Sequence, residues 1–322
     1  MTIAIDHTPR TQSFATETEP GVFLLDHHFR GSPGVIASYL IADGDGLTLI
    51  ETGPASTMET LLAGIRQAGF DPDAIRDIVV THIHLDHAGG AGALLRHLPR
   101  ARLHVHPIGA PHLIDPSKLM SSATRIYGEL MGPLWGEMLP VPADRLDILS
   151  DQDTLAIGSR VLRAYDTPGH ANHHLALYER ETGAVFTGDV AGVRLDGIAH
   201  VRPPTPPPEF SPEKWQRSIA TLQSLSPHRL YLTHFGAYDD PEWHLNELLS
   251  RVWFWAGWVG GRLATGQEPA AVSDALRQME DVILSQAAND RSLLVRYEEA
   301  GNYRMSVDGI ARWWRKRTER KD

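Results

Sequence analysis

Apolar residues along this chain alternate between a short period and a longer one. The runs "GVFLL", "GVIASYLIA" and "LTLIE" (residues 21–51) are dense in β-prone side chains. The "DGDG" between the last two supplies glycine, whose positive φ suits a hairpin turn. "STMETLLAGIRQAGF" then places Met58, Leu61, Leu62 and Ile65 at helical spacing, with Ser56 as the expected cap. "IRDIVV" returns to strand, "AGGAGALLRHL" to helix and "ARLHVHP" to strand. Residues 108–142 break this alternation with a proline-bounded segment containing methionines and aromatics. It reads as a helical insertion that could roof a site, although core packing accounts equally well for its Leu119, Ile126, Leu130 and Leu134.

The strand pattern resumes through "DTLAIGSRVLRAYDTPGH", "LALYE" and "AVFTGDV", with a turn at Thr182-Gly183. "VRPPTPPPEF" must be a loop, because proline lacks an N–H and restricts the residue before it. Ser211-Pro212 opens a helix, since proline at the first helical position loses no hydrogen bond. Trp215, Ile219, Leu222 and Leu225 mark its buried stripe, and "HRLYLTHFG" adds another strand. Beyond about residue 240 the strands stop. Leu245, Leu248, Leu249, Val252, Trp253 and Ala256 form an amphipathic stripe, with further helices expected to Arg317. This divides the chain into 1–240 and a C-terminal helical region, 241–322, that would serve as a cap, a substrate wall or a homodimer surface.

Length and composition narrow the class. The chain has 322 residues, of which 42% are hydrophobic, enough for one large core with an appendage. A formal net charge of −10 opposes a nucleic-acid partner held by phosphate neutralisation and points to a small-molecule substrate. With no cysteine, thiolate ligands and thiol nucleophiles are excluded, so any metal must use His, Asp or Glu. Residues 1–20 lack a basic-then-apolar leader pattern, and no run of about 18 apolar residues suggests a membrane span. The cytoplasm is the expected location.

The chemistry gathers in "VTHIHLDHAGG", where His82, His84, Asp86 and His87 follow the apolar run Ile78-Val79-Val80. In an extended loop, side chains two apart project the same way, so His82 and His84 can reach one ion together. Asp86 and His87, just before the next helix, can turn toward a second. Three later pieces end on ligand-type residues after expected strands: His170 in "DTPGH", Asp189 in "FTGD" and His234 in "LTHFG". Each alone is a weak signal; their order carries the argument.

That order, with "ETGP" upstream, resembles the metallo-β-lactamase fold superfamily over residues 20–240, particularly its glyoxalase-II-like and lactonase-like hydrolases. The resemblance implies an α/β fold, a four-layer αββα sandwich with a C-terminal helical extension, and two divalent metal ions at the sheets' edge. In the family these are usually zinc; iron or manganese suits the same donors. By motif, His82, His84 and His170 would hold one ion, Asp86, His87 and His234 the other, and Asp189 would bridge them. Glu51 in "ETG" stands where these families usually carry Asp, and would hydrogen-bond a ligating histidine. Of His170, His173 and His174, His170 matches the family's "TPGH".

Two bridged cations would depress the pKa of a bound water, giving a metal-bridging hydroxide at pH 7 for attack on a thioester, lactone or ester carbonyl. Asp86 would orient that nucleophile or shuttle its proton. The glutathione-binding signature is not evident after "FTGDV". Val190, Ala191 and Gly192 replace the tyrosine usual in lactonases, and the expected lack of export argues against a β-lactamase. The alternative within the fold is a persulfide dioxygenase with a single iron, and phosphodiester or nuclease chemistry conflicts with the acidic balance. Outside the constellation, His27 and His28 read as structural, His97, His104 and His106 as surface, Arg194 as a solvated loop residue, and Trp253, Trp255, Trp258, Trp313 and Trp314 as helix core.

Overall fold

The computed structural model describes residues 13–288 and 290–319. Its strands form two sheets. The first runs β1 (Ala15–Glu19), β2 (Val22–Asp26), β3 (Ala37–Asp43), β4 (Gly46–Ile50), β5 (Asp77–Val79), β6 (Arg102–Val105) and β7 (Leu146–Ile148) in that spatial order. β1 to β4 pair antiparallel, and β4 to β7 pair parallel. The second contains β8 (Thr154–Ile157), β9 (Arg160–Asp166), β10 (Leu175–Glu179), β11 (Ala184–Gly188), β12 (Arg229–Leu232) and β13 (Gly236–Tyr238), in order from one edge to the other.

Period-two alternation sorts the apolar side chains into layers. Tyr39 and Ile41 of β3, Val79 of β5, Leu175 and Leu177 of β10, Phe186 of β11 and Tyr231 of β12 point between the sheets and form one cluster. Their neighbours Leu40, Leu49, Ile78 and Val80 face the opposite side of the first sheet. There they meet α1 (Met58–Gln67) through Leu61, Leu62 and Ile65, and α3 (Ala91–His97) through Leu94 and Leu95, with the four-residue α2 (Leu85–Ala88) just before. Ala176, Val185, Leu230 and Leu232 face outward from the second sheet onto α7 (Pro212–Ser224), α8 (Pro241–Ala264), α9 (Pro269–Ala287) and α11 (Tyr303–Thr318). Helix, sheet, sheet, helix is the αββα order, extended by C-terminal helices that also include α10 (Arg291–Glu299).

The insertion is helical: α4 (Ala110–Ile114), α5 (Ser117–Tyr127) and α6 (Met131–Trp135). Ile126 and Leu130 are half exposed, so core packing does not account for them. Ser56 does not cap α1 but donates to the Leu134 carbonyl, tying the helix entry to the insertion. Ser211 does cap α7, accepting from Lys214 N–H at 3.3 Å. Of the α8 indoles expected in the core, Trp255 is buried, while Trp253 and Trp258 are only partly covered. No helix among the described residues is long and apolar enough to cross a membrane.

Candidate metal centre

The ends of β4, β5, β9, β11 and β12 lie along one edge of the sandwich, and each feeds a loop carrying part of the constellation. Glu51 follows β4, His82 to His87 follow β5, His170 follows β9, Asp189 follows β11 and His234 follows β12. Among the described residues the donors form three overlapping groups, one of them Glu51, His82 and His87, and the other two the predicted sets, largely buried with His84 and Asp86 partly exposed. Single donor atoms of His82, His84 and His170 lie within 4.8 Å of one another, as do those of Asp86, His87 and His234. Asp189 stands between them, with Oδ2 3.3 Å from His170 Nε2 and Oδ1 3.2 Å from His87 Nε2 and 3.5 Å from His234 Nε2. The sequence-predicted residues are thus brought together in the two predicted sets, with the carboxylate that faces both.

Hydrogen bonds at the far side of each ring aim these histidines. His170 Nδ1 donates to the Pro204 carbonyl at 2.9 Å and His234 Nδ1 to the Val35 carbonyl at 2.8 Å. His87 Nδ1 donates to Glu51 at 3.0 Å. Thr81 Oγ1 donates to Glu51 and accepts from His82 Nδ1 at 3.0 Å. Each acceptor fixes the tautomer that leaves Nε2 with a free lone pair facing inward. His84 presents Nδ1 instead, 2.9 Å from the Nε2 atoms of both His82 and His170. Its single ring proton cannot serve two such neighbours at once.

A divalent cation would resolve this arrangement. His87 Nε2, His234 Nε2 and Asp189 Oδ1 are buried without a hydrogen-bond partner, a costly state for polar atoms unless something else occupies the space between them. Ligands on tetrahedral bonds of about 2.0–2.1 Å would sit roughly 3.3 Å apart. His82 and His84 stand 2.9 Å apart, His87 and Asp86 3.8 Å, and all donors of each group lie within 4.8 Å of one another. Neutral imidazoles, two carboxylates and no thiolate fit zinc, iron or manganese.

Electrostatics agree. Burial, reinforced by neighbouring histidines, holds His82 and His84 well below the usual imidazole range, so they are neutral donors. Burial also pulls on His87 and His234, but Asp189 and Asp86 outweigh it and raise both. The negative charge that attracts a proton to those rings equally favours a cation. Burial opposes ionisation of Asp86, yet His87 and His234 bring its pKa down to about 2. Asp86 is also the more accessible of the two carboxylates, at 22% side-chain exposure against 4% for Asp189.

Local backbone explains the spacing of the motifs. Glu51 adopts φ +66°, a conformation uncommon outside glycine, which turns its carboxylate back to accept from Thr81 N–H at 3.2 Å. Gly188 at φ +49° leaves room that a Cβ would take from the Thr81 hydroxyl, 2.4 Å away, and from His174 Nε2, 2.8 Å away.

Sequence reasoning did not identify Thr81 as the link between Glu51 and His82. His174 also has a definite place: its Nε2 accepts from Asp189 N–H at 3.1 Å while Nδ1 donates to Thr167. It therefore fixes the backbone of the residue between the two groups. The cluster "HANHH" was the available signal for it; the carbonyls of Pro204 and Val35 leave none. His27 is fully buried between Thr57 and Ser38, each at 2.7 Å, which suits a structural role. His97 is exposed. His106 is not a surface residue: it is buried, with Asp166 3.4 Å away. Arg194 is likewise buried rather than solvated, packed over Tyr238 and paired with Asp240 at 2.7 Å. In the insertion, the Tyr127 hydroxyl is raised by burial and by the charge of Asp86, and it donates to Met305 Sδ on α11 at 3.1 Å.

The family model of the metallo-beta-lactamase superfamily matches residues 31–234. The chain belongs to this superfamily. A metallo-beta-lactamase fold-containing protein of Sulfurisphaera tokodaii, ST1585, is 28% identical over 56% of this chain and 68% of its own length. A hydroxyacylglutathione hydrolase of Cupriavidus taiwanensis is 32% identical over 47% of each chain, so the match spans about half of that enzyme. An atrochrysone carboxyl ACP thioesterase of Aspergillus fumigatus is 24% identical over 69% of this chain and 59% of its own. Among solved structures, the metallo-beta-lactamase family protein TTHA1429 of Thermus thermophilus superposes over 94% of this chain and 95% of its own, with a TM-score of 0.68 at 19% identity. That likeness extends the shared fold into the C-terminal helices.

Proposed function

We propose that this superfamily member is a dinuclear metallohydrolase that cleaves an ester-like acyl bond of a small molecule, with thioesters as the first choice and lactones and simple esters following. The observation that carries the reading is the convergence of three partnerless buried atoms, His87 Nε2, His234 Nε2 and Asp189 Oδ1, beside the His82, His84 and His170 nitrogens. Several relatives are named thioesterases, among them an atrochrysone carboxyl ACP thioesterase of Aspergillus fumigatus and an acyl-coenzyme A thioesterase of Gallus gallus.

In this reading His82, His84 and His170 would hold one cation and Asp86, His87 and His234 the other, with Asp189 between the two groups. The ions, zinc in our assignment, supply a nucleophile near neutral pH and Lewis acidity toward the carbonyl oxygen. The protein's own contribution is orientation. Glu51 fixes His87 directly and His82 through Thr81, Pro204 fixes His170, Val35 fixes His234, and His174 fixes Asp189. Asp86, ionised and the more exposed carboxylate, accepts the proton released by the attacking group and hands it toward the leaving thiol or alcohol. The substrate is a small molecule, and the protein works in the cytoplasm without nucleic-acid or membrane partners.

The test is a panel of acyl thioesters, lactones, aryl esters and phosphodiesters offered to metal-loaded protein, beside Asp86→Ala as control. Acyl-bond turnover without oxygen consumption supports the reading. Uptake of oxygen by protein carrying one iron would overturn it.

A further inference from the structure

The C-terminal helices grip the segment that aims His170. Residues 200–205 cross from the second sheet toward α9, α10 and α11, and Arg202 pairs with Val193 through both backbone bonds, 2.8 and 2.9 Å. Its side chain is 1% exposed, lies over the Tyr303 ring at 4.8 Å, and donates through Nη2 to the carbonyls of Tyr297 and, at 2.7 Å, Gly301. Three residues further on, Thr205 Oγ1 donates to the Ser306 carbonyl of α11 at 3.0 Å. The helix approaches so closely that a Cβ on Gly309 would lie 2.0 Å from the Thr205 carbonyl oxygen. Between these two anchors sits Pro204, whose carbonyl accepts from His170 Nδ1.

We propose that Arg202 is a positioning residue for the metal centre, holding the Pro204 carbonyl against the C-terminal helices so that His170 keeps its tautomer and its aim. This rests on the reading of His170 as a ligand. It gives the helical region a role in one half of the centre. The side-chain clamp acts on the Pro204 carbonyl and so on the ring of His170, while the ring of His87 takes its orientation from Glu51 and that of His234 from Val35. Loss of the clamp is therefore asymmetric: one cation position weakens and the other does not. A guanidinium with two carbonyl acceptors fixes the segment in a way that a compact ammonium reproduces only in part.

The experiment is a stepwise metal titration of full-length protein against a competing chelator, with cobalt(II) spectra resolving the two positions. Wild type, Arg202→Met, Arg202→Lys, Gly309→Ala and Thr205→Val are compared. Arg202→Met, by loosening the Pro204 carbonyl that partners His170, is expected to weaken one position by up to about 10- to 100-fold, the range for losing an outer partner of a ligating histidine outright. The second position should stay within about twofold, and Arg202→Lys should recover part of the loss. Gly309→Ala, which pushes on Thr205 without removing any polar group, should shift the spectrum of the same position, and it carries the test if Arg202→Met fails to fold. Equal weakening of both positions, or none in folded variants, would overturn the clamp. If wild type binds no metal at all, the functional reading fails instead, and the two failures are told apart by that control.

Discussion

Replacing Glu51 by Gln tests the frame on which both cation positions depend. The carboxylate is fully buried and accepts from Thr81 N–H, Thr81 Oγ1 and His87 Nδ1–H. An amide of the same shape has only one acceptor oxygen. Whichever way it is turned, its NH2 group meets an N–H or O–H that had pointed at a lone pair. With the amide oxygen in the Oε1 position the NH2 group faces Thr81 N–H, so one hydrogen bond to a charged acceptor, about 1.5–3 kcal/mol, is lost from the Thr81 backbone beside His82, and the neutral oxygen is a weaker acceptor for His87 Nδ1–H and Thr81 Oγ1. At 1.4 kcal/mol per decade this is roughly a 10- to 100-fold loss of metal affinity. Because Glu51 serves a histidine of each group, both positions should weaken, in contrast to the one-sided effect expected at Arg202. The assay is chelator-competition titration of wild type and Glu51→Gln, with circular dichroism of the metal-free proteins to show that both are folded. Affinities within twofold of wild type at both positions would refute the role of Glu51 and the route through Thr81.

Three further outcomes follow from the geometry. Asp189→Asn removes the charge that faces both groups, so metal content should fall below one ion per chain and turnover should disappear; a variant retaining two ions would contradict the bridging role. His174→Ala leaves the buried Asp189 N–H without its acceptor, at a cost of about 1–3 kcal/mol, and should lower kcat at least tenfold while metal content measured by elemental analysis stays near wild type. A wild-type kcat would remove His174 from the account. His27 has its pKa lowered to about 3 by burial and by His87, while the unfolded chain titrates near 6.5. Below that value the unfolded state binds the extra proton, so stability is present at pH 7 and falls with pH, by roughly 2 kcal/mol at pH 5 from this residue alone. His27→Gln, which can keep one donor and one acceptor for Thr57 and Ser38, should lose that much less on going from pH 7 to pH 5 in urea unfolding of metal-free protein. An identical loss in both proteins would sink the assignment.

How much of this was legible in the sequence depends on whether a residue announces itself by type and spacing. The layers were readable because β3, β5 and β12 alternate cleanly, as in Leu40-Ile41 and Tyr231-Leu232, with adjacent residues in different clusters. β1 was not, since "ATETE" is polar and lies at a sheet edge, where pairing is set by the neighbouring strand rather than by burial. The convergence of the eight candidate residues was legible because each follows a strand and is a ligand type. Their supports were not: Pro204 and Val35 act through carbonyls that any residue possesses. Thr81 acts through a hydroxyl whose importance depends on Glu51 folding back at a positive φ. Arg194 and His106 look like surface residues in the chain, and only the packing of β13, α8 and the loop after β6 buries them.

The central claim is that two cations sit together in this site, each held by its own triad and shared through Asp189. The most direct measurement is metal content by elemental analysis of purified, zinc-reconstituted protein after removal of excess metal. Two ions per chain, accompanied by thioester hydrolysis without oxygen uptake, is the predicted result. A single ion per chain at saturation, with Asp86, His87 and His234 replaceable by alanine at no cost in metal content, would contradict it.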